Sequence, residues 1–246
     1  MTSSTTTGSP PSPTPRITRL EPLASDHVRV CLDDETSLDV SADVLTRENL
    51  HVGDPLDEHL RSVLEEADLH WRSREAALRL LSHRARSRAE LRSRLHRKRF
   101  PAAVIRTCLD KLEERGLVDD ASFARAFVRD RLRLRPRGRR LLTAELGKRG
   151  VAPEVTEAAI TEVFDDEGAS EEALAEGAAL AWLRRQPTEV ARSLADLDFT
   201  DRRERARRRL HGYLARRGFT GAVSLRATEE AVRQAGSGEP NASPGT

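Results

Sequence analysis

The chain has 246 residues, of which 37% are hydrophobic, 33% charged and 4% aromatic, a balance suited to thin, well-solvated helical layers rather than one thick core. So few aromatic residues speak against a base-stacking platform of the single-strand-binding kind, and no run of eighteen apolar residues provides a membrane span. The net charge of +2 conceals a segregation into about −9 over residues 1–70, +15 over 71–150, −9 over 151–183 and +6 over 184–235, which points to a polyanionic partner.

Residues 1–15 are rich in Ser, Thr and Pro, lack an apolar signal core and read as a disordered tail. A small strand and helix region is expected over 16–70. Its strands are Arg16–Leu20, His27–Leu32 and Thr36–Val40, with turns at Ser25-Asp26 and Asp33-Asp34-Glu35. Three strands make a sheet that needs cover from a neighbouring helix. Asp54-Pro55 reads as an N-cap with proline at the first helical position, opening a helix with Leu56, Leu60, Val63, Leu64 and Ala67 on one face.

Beyond Trp71 the chain reads as helical, in three repeats at 71–118, 119–166 and 167–235, before a Gly/Ser/Pro tail at 236–246. Ser87-Arg-Ala-Glu90 is a capping box, and Pro101 opens a helix with a stripe of Val104, Ile105, Cys108, Leu109 and Leu112 that ends at Gly116. Asp119-Asp120 caps the next helix, which buries Phe123, Phe127, Val128 and Leu132. Arg135-Pro-Arg-Gly138 breaks the chain before a helix carrying Leu141, Leu142 and Leu146, and Pro153 opens the one after it. Ser170 to Arg185 is helical, Pro187 interrupts, and Asp201-Arg-Arg-Glu204 reads as another capping box. The expected fold is therefore mainly α: tandem three-helix repeats in a curved, elongated array, with a small N-terminal β-sheet.

One phrase punctuates the repeats. It reads Leu95-His-Arg-Lys-Arg-Phe100, Leu146-Gly-Lys-Arg-Gly-Val151 and Leu214-Ala-Arg-Arg-Gly-Phe219. Each copy ends one helix and leads into another, with a basic pair between two apolar residues. Arrays of this kind offer long binding surfaces and seldom carry catalysis.

The helix from Arg88 to Arg99 is the most basic, and its unbalanced charge favours a phosphate or acidic-protein contact over a plain solvated face. The loop Arg135–Arg140 is a second candidate for phosphate. The stretch Glu154–Glu176 holds no Lys or Arg; contact with the basic first repeat, contact with a basic partner and a solubility role all stay open. The histidines, His51, His59, His70, His83 and His96 among them, do not adopt a zinc-site spacing, and a helix cap explains Asp119-Asp120 better than a metal nuclease does. No phosphate loop, nucleophile elbow or paired-carboxylate arrangement is present, so neither enzyme activity, nor a cofactor, nor a metal is expected. Trp71 and Trp182 read as packing anchors. Cys31 and Cys108 read as reduced thiols, consistent with a cytoplasmic protein.

Taken in order, Ala77-Leu-Arg-Leu-Leu81, Arg84, Arg86-Ser87, Glu90-Leu91, Leu95 to Pro101, Leu117-Val-Asp-Asp120, Phe123-Ala124, Arg137-Gly138 and Glu145-Leu-Gly-Lys-Arg-Gly150 resemble the RecX family of bacterial RecA regulators. The resemblance covers about 72–165 well and the third repeat loosely. Two departures stand out: Arg99, where the family usually places glycine, and an insertion-like stretch from Ala191 to Thr200. The resemblance implies a non-enzymatic monomer that binds the RecA filament on single-stranded DNA and damps its ATPase and strand exchange, in DNA repair, homologous recombination and the SOS response. A helical regulator acting directly on duplex DNA is the alternative. The expected contact residues are Arg84, Arg86, Arg88, Arg92, Arg94, Lys98, Arg99, Arg137, Arg139, Lys148, Arg149, Arg216 and Arg217.

Overall fold

A computed structural model describes residues 14–23, 26–195 and 200–236. The expected tails and Ser25 fall largely or wholly outside them. The chain divides into two compact units. The first comprises the residues up to Arg84 with Arg92–Glu114, the second Ala85–Leu91 with the chain from Arg115 onward. Among the described residues no helix is long and apolar enough to cross a membrane.

In the first unit β1 (Ile17–Pro22), β2 (His27–Leu32) and β3 (Ser37–Ser41) form an antiparallel meander with Val30 opposite Leu38 and Val28 opposite Val40. Period-2 alternation places Val30, Leu32 and Val40 in the core, while Arg29 and Asp39 pair across the exposed face at 2.8 Å. That bond to the Arg29 guanidinium holds the Asp39 carboxyl below its ordinary range. Asp26 and Glu35 turn the chain with φ of 56° and 66°. Cover for the sheet comes from α1 (Ala42–Glu48), a short helix the sequence pattern does not announce, and from α2 (Glu58–His83). The buried Asp68 of α2 accepts from the Ser41 N–H at 2.9 Å, and the Trp71 indole donates to Asp43 at 3.0 Å. Trp71 thus fills its expected anchoring role.

The start of α2 corrects the sequence reading. Asp54 and Pro55 are not a helix start, because the Ile17 N–H donates to the Asp54 carbonyl (2.9 Å) and the Leu56 N–H to that of Pro15 (2.7 Å). These bonds hold the segment extended beside β1. Asp57 caps α2 instead, accepting from the Leu60 N–H at 2.7 Å. The helix then runs unbroken for 26 residues, through the boundary expected at 70/71. It packs on α4 (Ala102–Glu114), whose Val104, Ile105, Cys108, Leu109 and Leu112 are all buried as their spacing requires. Between them lies α3 (Arg88–Arg97), with Leu91 and Leu95 fully buried.

The second unit contains α5 (Asp120–Leu134), α6 (Arg139–Gly147) and α7 (Pro153–Asp166), then α8 (Glu171–Leu183), α9 (Thr188–Ala195), α10 (Thr200–Arg216) and α11 (Gly221–Gly236). Phe123, Phe127, Val128, Leu142, Leu146, Ile160 and Phe164 fill one core; Ala179, Trp182, Leu194, Leu210, Leu214 and Phe219 belong to the next. Asp119 caps α5 through the Ala121 and Ser122 N–H groups at 2.8 and 3.1 Å, and Ser170 caps α8. Asp201 lies inside the first turn of α10, so its capping-box reading is corrected. Part of the insertion-like stretch is helical: α9 contributes Leu194 to the third core.

Candidate nucleic-acid interface

The recurring phrase is a helix C-terminus with a left-handed residue. In each copy the fifth residue's N–H donates to the carbonyl after the leucine, and the sixth residue's N–H donates to the leucine carbonyl. The first copy has Arg99 to His96 (2.9 Å) and Phe100 to Leu95 (3.4 Å). The second has Gly150 to Gly147 (2.9 Å) and Val151 to Leu146 (3.2 Å), and the third Gly218 to Ala215 (3.0 Å) and Phe219 to Leu214 (3.3 Å). This is the Schellman arrangement, in which an apolar pair closes the turn. The fifth residues have φ of 65°, 73° and 86°, so Arg99 adopts the geometry that glycine takes in the other two copies.

Copies two and three are also docking points within the second unit. The Ser87 hydroxyl donates to the Arg149 carbonyl, and the Gly138 N–H donates to that of Arg217 at 2.9 Å. Next along the chain, the Arg88 N–H donates to Asp120 at 2.7 Å and the Arg139 N–H to Glu171 at 3.1 Å. In both joints a helix start bonds the Schellman turn of the following repeat and the first residue of that repeat's leading helix. A Cβ on Gly150 would fall on the Ala89 side chain, and one on Gly218 would come within 2.8 Å of the Leu141 Cα. Glycine is therefore required twice over at these positions.

Five arginines gather beside the second joint. Glu145 pairs with Arg137 and, at 3.3 Å, with Arg131. Arg131 and Arg149 both lie over the Phe127 ring with guanidinium carbons 4.4 Å from its centroid, and Arg217 lies over Tyr213 at 4.9 Å while donating to the Pro136 carbonyl at 3.0 Å. Burial first, and then the charges of Arg131, Arg217, Arg135 and Arg149, push the Arg137 pKa below its ordinary value. One carboxylate set among five guanidiniums leaves a concentrated positive charge on a rigid framework, the electrostatic footprint of a phosphate-binding surface.

The expected contact residues therefore separate. Arg137, Arg149 and Arg217 are brought together with Arg131 and Arg135. Arg139 points elsewhere, stacked over Phe164 at 4.5 Å and 3.7 Å from Glu157. Arg92, Arg94, Lys98 and Arg99 are exposed around α3, as are Arg84, Lys148 and Arg216, while Arg86 and Arg88 are half-buried. Sequence reasoning left out Arg131 and Glu145, although Arg131 follows Phe127 by four positions and so shares its helix face. The acidic stretch does not face the first repeat through its paired members: Glu162, Asp166 and Glu167 of the α7 end meet Arg125, Arg129 and Arg133 of α5 at 3.4, 2.9 and 3.0 Å.

The fold and site define a tandem three-helix repeat protein with concentrated cationic surfaces. Residues 74–112 match the family description "RecX, first three-helix domain", and residues 119–160 match "RecX, second three-helix domain". The regulatory protein RecX of Mycolicibacterium vanbaalenii is 41% identical over 153 residues, which cover 62% of this chain and 78% of that protein. That of Thermobifida fusca is 38% identical over 172 residues, covering 69% and 83%. A crystal structure of regulatory protein RecX superposes with a TM-score of 0.63 at 22% identity, covering 87% of this chain and 99% of the other. RecX from Lactobacillus salivarius gives 0.55 at 19% identity, covering 67% and 97%. These structures share the fold. On the sequence relationships, the chain belongs to the RecX family, whose matched members are regulatory proteins.

Proposed function

We propose that this chain is a non-enzymatic, cytoplasmic modulator of the RecA recombinase, binding as a monomer to the RecA filament on single-stranded DNA and damping its ATPase and strand exchange. The observation carrying the reading is the excess of guanidinium over carboxylate at Arg131, Arg135, Arg137, Arg149 and Arg217, joined by the exposed cations of α3. Cations held against aromatic rings lose little freedom when they meet a phosphate or a carboxylate, so their charge is pre-organised for a polyanion. Phosphate contacts carry no sequence information, which suits a protein that follows a filament rather than an operator.

The test is the single-stranded-DNA-dependent ATPase of the cognate recombinase. Substoichiometric to equimolar protein slows hydrolysis. Unchanged hydrolysis and filament disassembly at saturation would sink the reading, and tight, sequence-selective binding to duplex DNA without the recombinase would replace it with a direct duplex-binding regulator.

A further inference from the structure

The third repeat contains a feature that neither joint uses. An open cavity of about 430 Å³ is lined by Trp182, Gln186, Arg208, Arg209, Gly212 and Arg216. Its size lies within the roughly 300–1,000 Å³ typical of small-molecule sites. We propose that this cavity binds one nucleoside-phosphate unit, either a free mononucleotide or a residue of a single strand. Only the single-strand arm rests on the function proposed above.

The argument begins with charge. Arg208, Gly212 and Arg216 follow one another at four-residue intervals and line one stripe of α10, with Arg209 beside them. None of the three arginines forms an ion pair with a carboxylate among the described residues, and no acid lines the cavity. The Nε of Arg208 donates to the Glu204 carbonyl at 3.4 Å, which orients its guanidinium without neutralising it. Three like charges at one cavity repel one another until an anion joins them, and guanidinium forks match phosphate oxygens.

Shape and chemistry narrow the anion. Gly212 sits inside a helix, where glycine weakens the structure and where no left-handed backbone calls for it. Its use is space: even a Cβ there would stand 3.4 Å from Arg216 Nη1, and a larger side chain would occupy the cavity. The opposite wall is the Trp182 indole, tilted 39° against Tyr213 with centroids 6.3 Å apart, a flat apolar surface suited to a base. Gln186 donates from Nε2 to the Trp182 carbonyl at 3.4 Å, which holds an amide at the same wall within reach of a base edge. An inorganic anion uses only the arginines. A nucleotide uses all three parts.

The chain has two tryptophans, so the indole N–H signals of the full protein report Trp71 and Trp182 separately by NMR. Thymidine monophosphate, inorganic phosphate, an octathymidylate and a Glu-rich peptide are titrated in turn. The Trp182 signal shifts with the mononucleotide at least tenfold more readily than with phosphate, while Trp71 stays in place. A shift with octathymidylate as well assigns the single strand as a source; a shift with the mononucleotide alone assigns the free nucleotide. Arg209→Ala with Arg216→Ala weakens the response at least tenfold. Gly212→Leu abolishes it with helix content retained, and the surface double variant still decides the matter if the leucine variant fails to fold. An unmoved Trp182 signal, equal titration by phosphate, or a response to the acidic peptide alone overturns the proposal. If recombinase damping persists while nucleotide binding is absent, the pocket fails and the regulatory function stands; binding without damping gives the reverse.

Discussion

The first copy of the recurring phrase and the later two share a backbone and differ in what surrounds them. Around Leu95–Phe100 the cations Arg97, Lys98 and Arg99 are all exposed. At Leu146–Val151 and Leu214–Phe219 the residue equivalent to Lys98 is an arginine folded over an aromatic ring, and the residue equivalent to Arg99 is a glycine pressed against the start of another helix. The hydrogen bonds of the turn are therefore satisfied by arginine or glycine alike. Glycine is demanded only where a neighbour needs the space of the missing Cβ. One short phrase thus provides a solvated cationic turn in one copy and a joint in the other two, which is why repeats similar in sequence do not present equivalent binding residues.

The sharpest way to break this comparison is Gly218→Ala. The new Cβ meets the Leu141 backbone and keeps a positive φ, so stability falls by about 3 kcal/mol or more, measured by urea unfolding. Gly150→Ala meets only a methyl group and costs about 2 kcal/mol; adding Ala89→Gly removes that methyl and restores about half, an interaction energy read from the double-mutant cycle. A threefold or greater cost at position 150 relative to 218 would reverse the argument. Arg217→Ala forfeits its ring contact and its bond to Pro136 and costs about 1–2 kcal/mol, whereas Lys98→Ala stays within about 0.5 kcal/mol. Arg99→Gly relieves the left-handed strain with no collision to avoid and raises stability by about 1 kcal/mol; a loss would mean that the arginine side chain itself supports the turn. Smallest of all in stability is Arg92→Glu with Arg94→Glu and Lys98→Glu, which leaves helix content and melting nearly unchanged. Its effect appears in binding, which weakens and loses about 0.7 of salt slope for each phosphate contact removed on a single strand. A folded triple variant with the parent affinity and slope would make α3 a solvated face.

Helices with a continuous apolar stripe were legible in the sequence to within a few residues. Val104 to Leu112 and Phe123 to Val128 repeat at helical spacing, and caps at Ser87, Asp119 and Ser170 mark the starts, because both signals are local. The seven-residue α1 was not legible, since its Ser41 makes no side-chain cap and its stability comes from packing against α2 and β3. Asp54-Pro55 has the better local cap signature, but Asp57 caps the helix, because backbone bonds from Ile17 and Leu56 had already claimed the earlier segment. Of the site, the cationic residues were visible as composition. Their grouping was not: the neighbours of Arg137 include Arg217, eighty residues away in the chain.

What the amino-acid sequence determined by itself is the succession of helices, the three-stranded start, the recurring turns and the family, since each rests on short-range periodicity, on caps or on order along the chain. What only the tertiary structure decided is which cations are solvated and which are committed. Arg139 and Arg217 both belong to basic runs, and one ends over Phe164 beside Glu157 while the other ends in the arginine cluster. The reason is physical. A guanidinium chooses between water, an aromatic face and a carboxylate by what lies within a few ångströms, and that distance is set by how helices remote in sequence meet.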